Sequence, residues 1–182
     1  WEKLFSERMC RHFYEDFGLE TRIARFHNIY GPYGTYDGGR EKAPAAMSRK
    51  IANLFLNKSK NIEVWGDGKQ TRSFLYVDDC IEGSLRLFKS NCREPVNIGS
   101  DEQVSINQLI KIIQKKSKIK KLQIKYNLNK PLGVRGRSSD NSLCKKILKW
   151  EYKISLTEGL SKTFDWILND IKKRKKPNKF SS

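Results

Sequence analysis

Within its first 32 residues the chain runs from an amphipathic helix, through a glycine, into a short apolar strand that ends at Gly31-Pro32. That order constrains the fold more than any other feature. Leu4, Phe5, Met9 and Phe13 share one face of a helix over residues 2–17, and Gly18 suits the position after its C-terminus. Residues 21–26, Thr-Arg-Ile-Ala-Arg-Phe, alternate in part and lead into the Gly-Pro pair, as a strand entering a loop does. A helix returning to a strand over this length is the second half of a βαβ unit, which argues for a parallel sheet and an α/β protein.

The elements that follow keep the alternation. Residues 31–46 are a loop rich in Gly and Pro, and helical character resumes over 45–56. A short strand is predicted at 62–65, a tight turn at Gly66-Asp67-Gly68, and a strand at 73–77. Asp78 stands ready to cap a helix over 79–88, and Ser105 to cap one over about 106–116. Residues 95–99 and 122–126 read as strands, and two helices, 141–150 and 156–173, finish the chain.

The net charge of +17 invites a nucleic-acid reading, but it is unevenly spread. Residues 1–100 hold 16 Lys/Arg against 13 Asp/Glu, whereas residues 101–182 hold 21 against 7. The excess is mostly lysine, crowded into residues 111–130 and the tail at 171–179. A solvated basic face and a frayed tail account for it more simply than a nucleic-acid site does, and an anionic small-molecule substrate is a third reading. No apolar run approaches a bilayer span, and the start does not resemble a signal peptide, so no membrane partner is expected. Cys10, Cys80, Cys92 and Cys144 form no C-x-x-C pair and have no histidine at metal spacing. A zinc site is therefore unsupported, and reduced thiols in a cytoplasmic protein are expected.

The loop Gly31-Pro-Tyr-Gly-Thr-Tyr-Asp-Gly-Gly-Arg-Glu-Lys42 leaves the carboxyl end of a parallel strand, where open α/β sheets bind ligands. No complete G-x-G-x-x-G precedes a helix, so nothing in these residues cradles a dinucleotide pyrophosphate. Lys42, beside Glu41 and Arg40, could serve as an acid or base if desolvated, or could be an ordinary surface lysine. Gln70-Thr71-Arg72, and Arg135-Gly136-Arg137 in a loop before a helix, could each fork an arginine onto a phosphate or pair it with a surface carboxylate. Asp78 and Asp79 look like paired carboxylates, although capping is the simpler role.

Phe26-His-Asn-Ile-Tyr-Gly-Pro32, Gly39-Arg-Glu-Lys-Ala-Pro-Ala-Ala46, Trp65-Gly-Asp-Gly68, Gln70-Thr-Arg-Ser-Phe74, Val96-Asn-Ile-Gly-Ser-Asp101 and Val134-Arg-Gly-Arg137 together resemble the GDP-mannose 3,5-epimerases. That family belongs to the extended short-chain dehydrogenase/reductases, which include NAD-dependent nucleotide-sugar epimerases and dehydratases. Asn-x-Tyr-Gly-Pro supports only the superfamily; Arg-Glu-Lys-Ala-Pro-Ala-Ala is far more specific. The likeness covers about residues 1–168, and the stretch between Lys50 and Trp65 is a few residues longer than the family pattern. Trp1-Glu2-Lys3 resembles the end of the family's Tyr-x-x-x-Lys motif. Its tyrosine, the glycine-rich NAD loop and a reactive cysteine would all precede residue 1.

The resemblance implies the C-terminal part of a Rossmann-type fold with a small mixed α/β substrate-binding domain. Residues 1–35 would belong to the dinucleotide-binding domain and 36–168 to the substrate-binding region. Residues 73–90 would pack back on the Rossmann sheet, and 169–182 would form a basic tail. It also implies NAD as cofactor and a GDP-sugar as substrate: oxidation at C4 acidifies the C3 and C5 protons, and two groups on opposite faces of the ring exchange them. Lys42 would be one of those groups, and Lys3 would hold the nicotinamide ribose. Asn28, Glu41, Lys42, Ala43, Lys50, Gln70, Thr71, Arg72 and Arg137 would line the nucleotide-sugar site. Superfamily members commonly dimerise through the helix that bears the motif lysine, so the 2–17 helix is a candidate homodimer interface. The alternatives are another nucleotide-sugar 4-epimerase or 4,6-dehydratase, or a basic nucleic-acid module. On this reading the isolated chain is inactive.

Overall fold

The computed structural model describes residues 1–130 and 133–174. Helix α1 (Glu2–Phe17) stops at Gly18, whose backbone takes the left-handed conformation at φ 68° and whose N–H donates back to Tyr14 O at 2.9 Å. The chain then forms β1 (Ala24–Phe26) and β2 (Ile29–Tyr30), α2 (Ala43–Asn57), β3 (Asn61–Trp65), β4 (Thr71–Ser73), β5 (Leu75–Tyr76) and α3 (Val77–Lys89). It continues through β6 (Val96–Ile98), β7 (Gln103–Ser105), α4 (Ile106–Ser117), β8 (Gln123–Asn127), β9 (Gly136–Arg137), α5 (Ser142–Leu148) and α6 (Leu156–Arg174).

The expected parallel pairing is present. β1 pairs with β6, β2 with β5 and β3 with β8, all parallel, while β4 runs antiparallel to β7 and parallel to β9. Two apolar cores lie under these sheets. One joins α2, α4 and α6 around Ile51, Leu109, Ile110 and Ile167. The other gathers Leu75, Leu87, Val96, Ile98 and Trp150, packing α3 and α5 against β1 and β6.

Several expectations need correction. Residues 73–77 do not form one strand. Ser73 pairs with Gln103 in one sheet and Leu75 with Ile29 in another, so the chain changes sheets at the buried Phe74, and Val77 already begins α3. Asp78 does not cap that helix: the N-cap is Tyr76, without a side-chain hydrogen bond, and both aspartates lie in the first turn. Asp79 is buried, and its carboxylate accepts from the backbone N–H groups of Lys153 and Ile154 at 3.1 and 2.9 Å, fixing the approach to α6. Residues 136–137 are a strand rather than a loop, because Thr71 N–H donates to Arg135 O and draws the segment onto β4. Of the expected tail at 169–182, residues 169–174 are the last turns of α6, with Ile171 buried, and residues 175–182 lie outside the described residues.

Ser105 caps α4 as expected. Its Oγ accepts from Gln108 N, while Gln108 Oε1 accepts from Ser105 N, a reciprocal capping box. Among the described residues no helix is long and apolar enough to cross a membrane, and no group of three His, Cys, Asp or Glu is placed to hold a metal ion. All four cysteines are free thiols, Cys80 and Cys144 buried and the other two half-buried.

The Asp79 contacts carry a prediction. Asp79→Ala strands two buried N–H donors of the segment before α6. It is expected to cost about 2–4 kcal/mol, because hydrogen bonds to a charged group contribute roughly 1.5–3 kcal/mol each and do not add fully. Thermal denaturation should show a drop of about 5–10 °C, and Asp78→Ala, which strands no such donor, almost none.

Candidate functional site

The loop between β2 and α2 is built by close approach and by Arg49. A Cβ at Gly31 would lie 2.5 Å from Val77 Cγ1, so only glycine lets the loop leave β2 over the start of α3. Arg49, one turn into the buried part of α2, donates from Nε to Tyr36 O at 2.8 Å and from Nη2 to Glu41 Oε1 at 2.9 Å. Tyr36 hydrogen-bonds Asp170 of α6, so the loop is tied at both ends. Burial pulls the Glu41 carboxyl up, but hydrogen bonds from its own backbone, Arg49 and the Gly39 backbone outweigh this and hold it below the usual carboxylate range. Its second oxygen, Oε2, is buried and has no partner among the described residues.

Lys42 follows directly as the N-cap of α2, with extended backbone (φ −75°, ψ 159°), an exposed side chain and no side-chain cap bond. Ala43 is the first helical residue, and Lys50, seven positions later, falls on the same face of α2. Lys50 Nζ donates to Glu63 O of β3 at 2.8 Å; burial, opposed by the Glu63 charge, lowers its pKa.

A second group of expected residues meets on β4. Asn28, at φ 45° between β1 and β2, donates from Nδ2 to Ser73 O at 3.0 Å and accepts at its carbonyl from Leu75 N–H, holding the sheet crossover. Thr71 Oγ1 donates to Gln103 Oε1 at 2.9 Å. Gln70 donates to Trp65 O, while its own side-chain oxygen is buried and has no partner among the described residues. Arg72 and Arg137 are Cα partners in the parallel β4–β9 pair, so their side chains leave the same face of the sheet. Neither has an ion-pair partner among the described residues; Arg72 Nη1 donates only to Thr71 O. Burial, and then the Arg137 charge, hold the neighbouring His27 imidazole below its ordinary pKa, which leaves it neutral near pH 7.

Two like charges opposite one another in a sheet destabilise it unless an anion lies between them. Two guanidinium forks leaving one face without an ion-pair partner among the described residues have the chemistry to take an anion. Lys3 stands apart, exposed in the first turn of α1. No hydrogen bond or ion pair joins the Glu41 group to the Arg72 group among the described residues. Arg49 and Gln103 are supports that the motifs do not name. Arg49 could be found from the sequence, since it lies eight residues beyond Glu41 on the helix that the loop enters.

The family model "NAD dependent epimerase/dehydratase family" matches residues 1–99. The chain belongs to that family. It is 53% identical over 174 residues to GDP-mannose 3,5-epimerase of Arabidopsis thaliana, a match covering 96% of this chain and 45% of that protein. It is 31% identical over 167 residues to UDP-glucuronate 4-epimerase of Thermodesulfobacterium geofontis, covering 91% of this chain and 49% of that protein. Among solved structures, UDP-glucose 4-epimerase of Thermotoga maritima with UDP-glucose superposes with a TM-score of 0.82 at 26% identity, over 92% of this chain and 52% of that one. UDP-glucuronic acid 4-epimerase of Bacillus cereus, in complex with UDP-glucuronic acid and NAD, gives 0.75 at 29%, over 91% and 51%. The chain spans about half the length of the relatives it matches.

Proposed function

We propose that this family member is the C-terminal portion of a nucleotide-sugar epimerase that exchanges protons at C3 and C5 of a GDP-hexose. The observation that carries the reading is the in-register pair Arg72–Arg137, two unpaired guanidinium groups on one sheet face. Gln70 Oε1 and Glu41 Oε2 are buried acceptors without partners, suited to ligand hydroxyl or amide donors. Asn28 and Thr71 serve beside Arg72, and Ala43 and Lys50 on the helix that follows Glu41, as positioning and lining residues. The Arg40-Glu-Lys-Ala-Pro-Ala-Ala46 motif favours GDP-mannose over the UDP-sugars named for the more distant relatives.

When bound, NAD supplies the hydride acceptor that turns C4 into a ketone and so acidifies the neighbouring C–H groups. Toward that cofactor the chain offers the exposed Lys3 ammonium, a donor suited to ribose hydroxyls, but its 182 residues contain no glycine-rich phosphate loop. Lys42 takes or returns a proton on one face of the sugar from a position fixed by the loop and by α2.

We divide the chain by its two cores. Residues 1–35, with residues 73–90 packing back on them, together with β6 and α5, form the edge of the dinucleotide-binding sheet, and most of the remainder binds substrate. A second copy is placed against the apolar face of α1, none of whose residues is buried by the chain itself. The free thiols suit a cytoplasmic setting.

The test is turnover of GDP-mannose in D2O by the full-length protein. Deuterium at both C3 and C5 is the expected result. A 4-epimerase leaves both positions protonated, and a 4,6-dehydratase labels C5 without C3. The 182-residue chain alone is expected to show no turnover, and measurable epimerisation by it would overturn the placement of the cofactor and second catalytic group outside it.

A further inference from the structure

Two stretches of the chain contain no carboxylate, residues 42–62 and 103–139, and the second holds 10 Lys/Arg. The parallel pairing of β3 with β8 begins at Asn61↔Gln123, with Gln123 N–H donating to Lys60 O at 2.7 Å. It therefore brings the lysine-rich entrances of both strands together. α2 and α4 end at the same place, each on a lysine in left-handed conformation, Lys58 at φ 52° and Lys118 at φ 60°. A groove of about 500 Å³ opens there, floored by Leu54, Phe55 and Ile119 and rimmed by Lys58, Lys60, Lys120 and Lys121.

These rim lysines differ from others on the surface. Lys116, Lys145, Lys153 and Lys162 each reach a carboxylate, whereas no ion pair reaches the rim lysines among the described residues. The rim is thus a cluster of like charges that the described residues leave uncompensated. The floor is apolar, and Phe55 remains 45% exposed.

We propose that this groove docks an acidic peptide segment of a partner protein, with an apolar side chain on the Leu54–Phe55–Ile119 floor and carboxylates on the lysine rim. Lysine is a compact point charge that takes a single carboxylate without fork geometry, and the choice of a peptide over a nucleic-acid backbone rests on the floor between the lysines. The C-terminal carbonyls of α2 and α4 carry partial negative charge at the groove, which holds lysines in place. The apolar floor gives such a segment a hydrophobic anchor that a bare polyanion lacks.

The test is fluorescence anisotropy with the full-length protein and a labelled peptide, a central Leu-Phe pair flanked by aspartates, beside an oligothymidylate of equal charge. Saturable peptide binding is expected. It should weaken at least about tenfold in Lys58→Glu/Lys60→Glu/Lys121→Glu and about fivefold in Phe55→Ser, by loss of several exposed ion pairs and of the anchor. A triple reversal elsewhere, Lys89→Glu/Lys146→Glu/Lys149→Glu, changes net charge equally and should leave binding within about twofold. Absence of saturable binding, an equal loss in the distant triple variant, or insensitivity to Phe55→Ser overturns the proposal. So does oligothymidylate binding as tightly as the peptide, which would mark the site as one for nucleic acid.

Discussion

Lys42→Ala in the full-length protein is expected to abolish deuterium incorporation at the position Lys42 serves and to lower turnover of GDP-mannose by about 10²–10⁴-fold, the range for removing a positioned acid or base. The geometry makes the substitution clean. Lys42 ends the loop as the N-cap of α2, its side chain makes no capping bond, and the backbone around it is held by Arg49 on Glu41 and by Ala46 N–H on Lys42 O at 2.9 Å. Truncating an exposed side chain there removes chemistry without removing a structural contact. Lys42→Arg separates two roles: the guanidinium keeps a positive charge in the site but does not give up its proton. If Lys42 moves protons, Lys42→Arg should keep KM within a few-fold while kcat falls nearly as far as in Lys42→Ala. If Lys42 only attracts the substrate, Lys42→Arg should retain turnover. Exchange unaffected in both variants would remove Lys42 from the chemistry.

What the sequence disclosed and what it hid divide along a physical line. The start of helix α4 was legible at Ser105, because its capping partner Gln108 lies three residues on and nothing distant is needed. The 31–42 loop was legible because glycines at φ 91° and 84° mark backbone that other residues rarely adopt. The break at Phe74 was not, since an unbroken apolar run reads alike whether its backbone bonds go to one sheet or two. Strand β9 was hidden for a related reason: two residues, one of them glycine, carry no periodicity, and only their pairing with β4, with Thr71 N–H on Arg135 O, makes them a strand. Asp79 shows the same limit. A carboxylate at a helix start satisfies every local capping rule, yet its partners lie at residues 153 and 154, beyond any local window.

The site followed that pattern. Motifs placed Arg72 and Arg137 in one list, but 65 residues of sequence separate them, and only the register of β4 against β9 turns the list into a pair. The apolar stripe of α1 was readable as a stripe; its want of a cover within this chain was not.

That register sets the second large effect. Arg72→Ala and Arg137→Ala are each expected to weaken GDP binding to the full-length protein by about 10–100-fold, since a charge-assisted hydrogen bond contributes roughly 1.5–3 kcal/mol and 1.4 kcal/mol is tenfold. Isothermal titration with GDP reads this directly. If the two guanidinium groups grip one diphosphate, the effects should not add: once one fork is gone the anion shifts, and the double variant should fall short of the product of the single losses. Arg72→Lys should recover only part of the affinity, because it restores the charge without the fork. The ligand-free protein should respond in the opposite direction. Removing one of two unpaired like charges on neighbouring strands relieves repulsion, so the melting temperature of either single variant should stay level or rise slightly. Loss of GDP affinity with stability intact is the signature of a binding pair. Loss of both together would make Arg72 and Arg137 props of the β4–β9 sheet, and additive losses would place them on separate parts of the ligand.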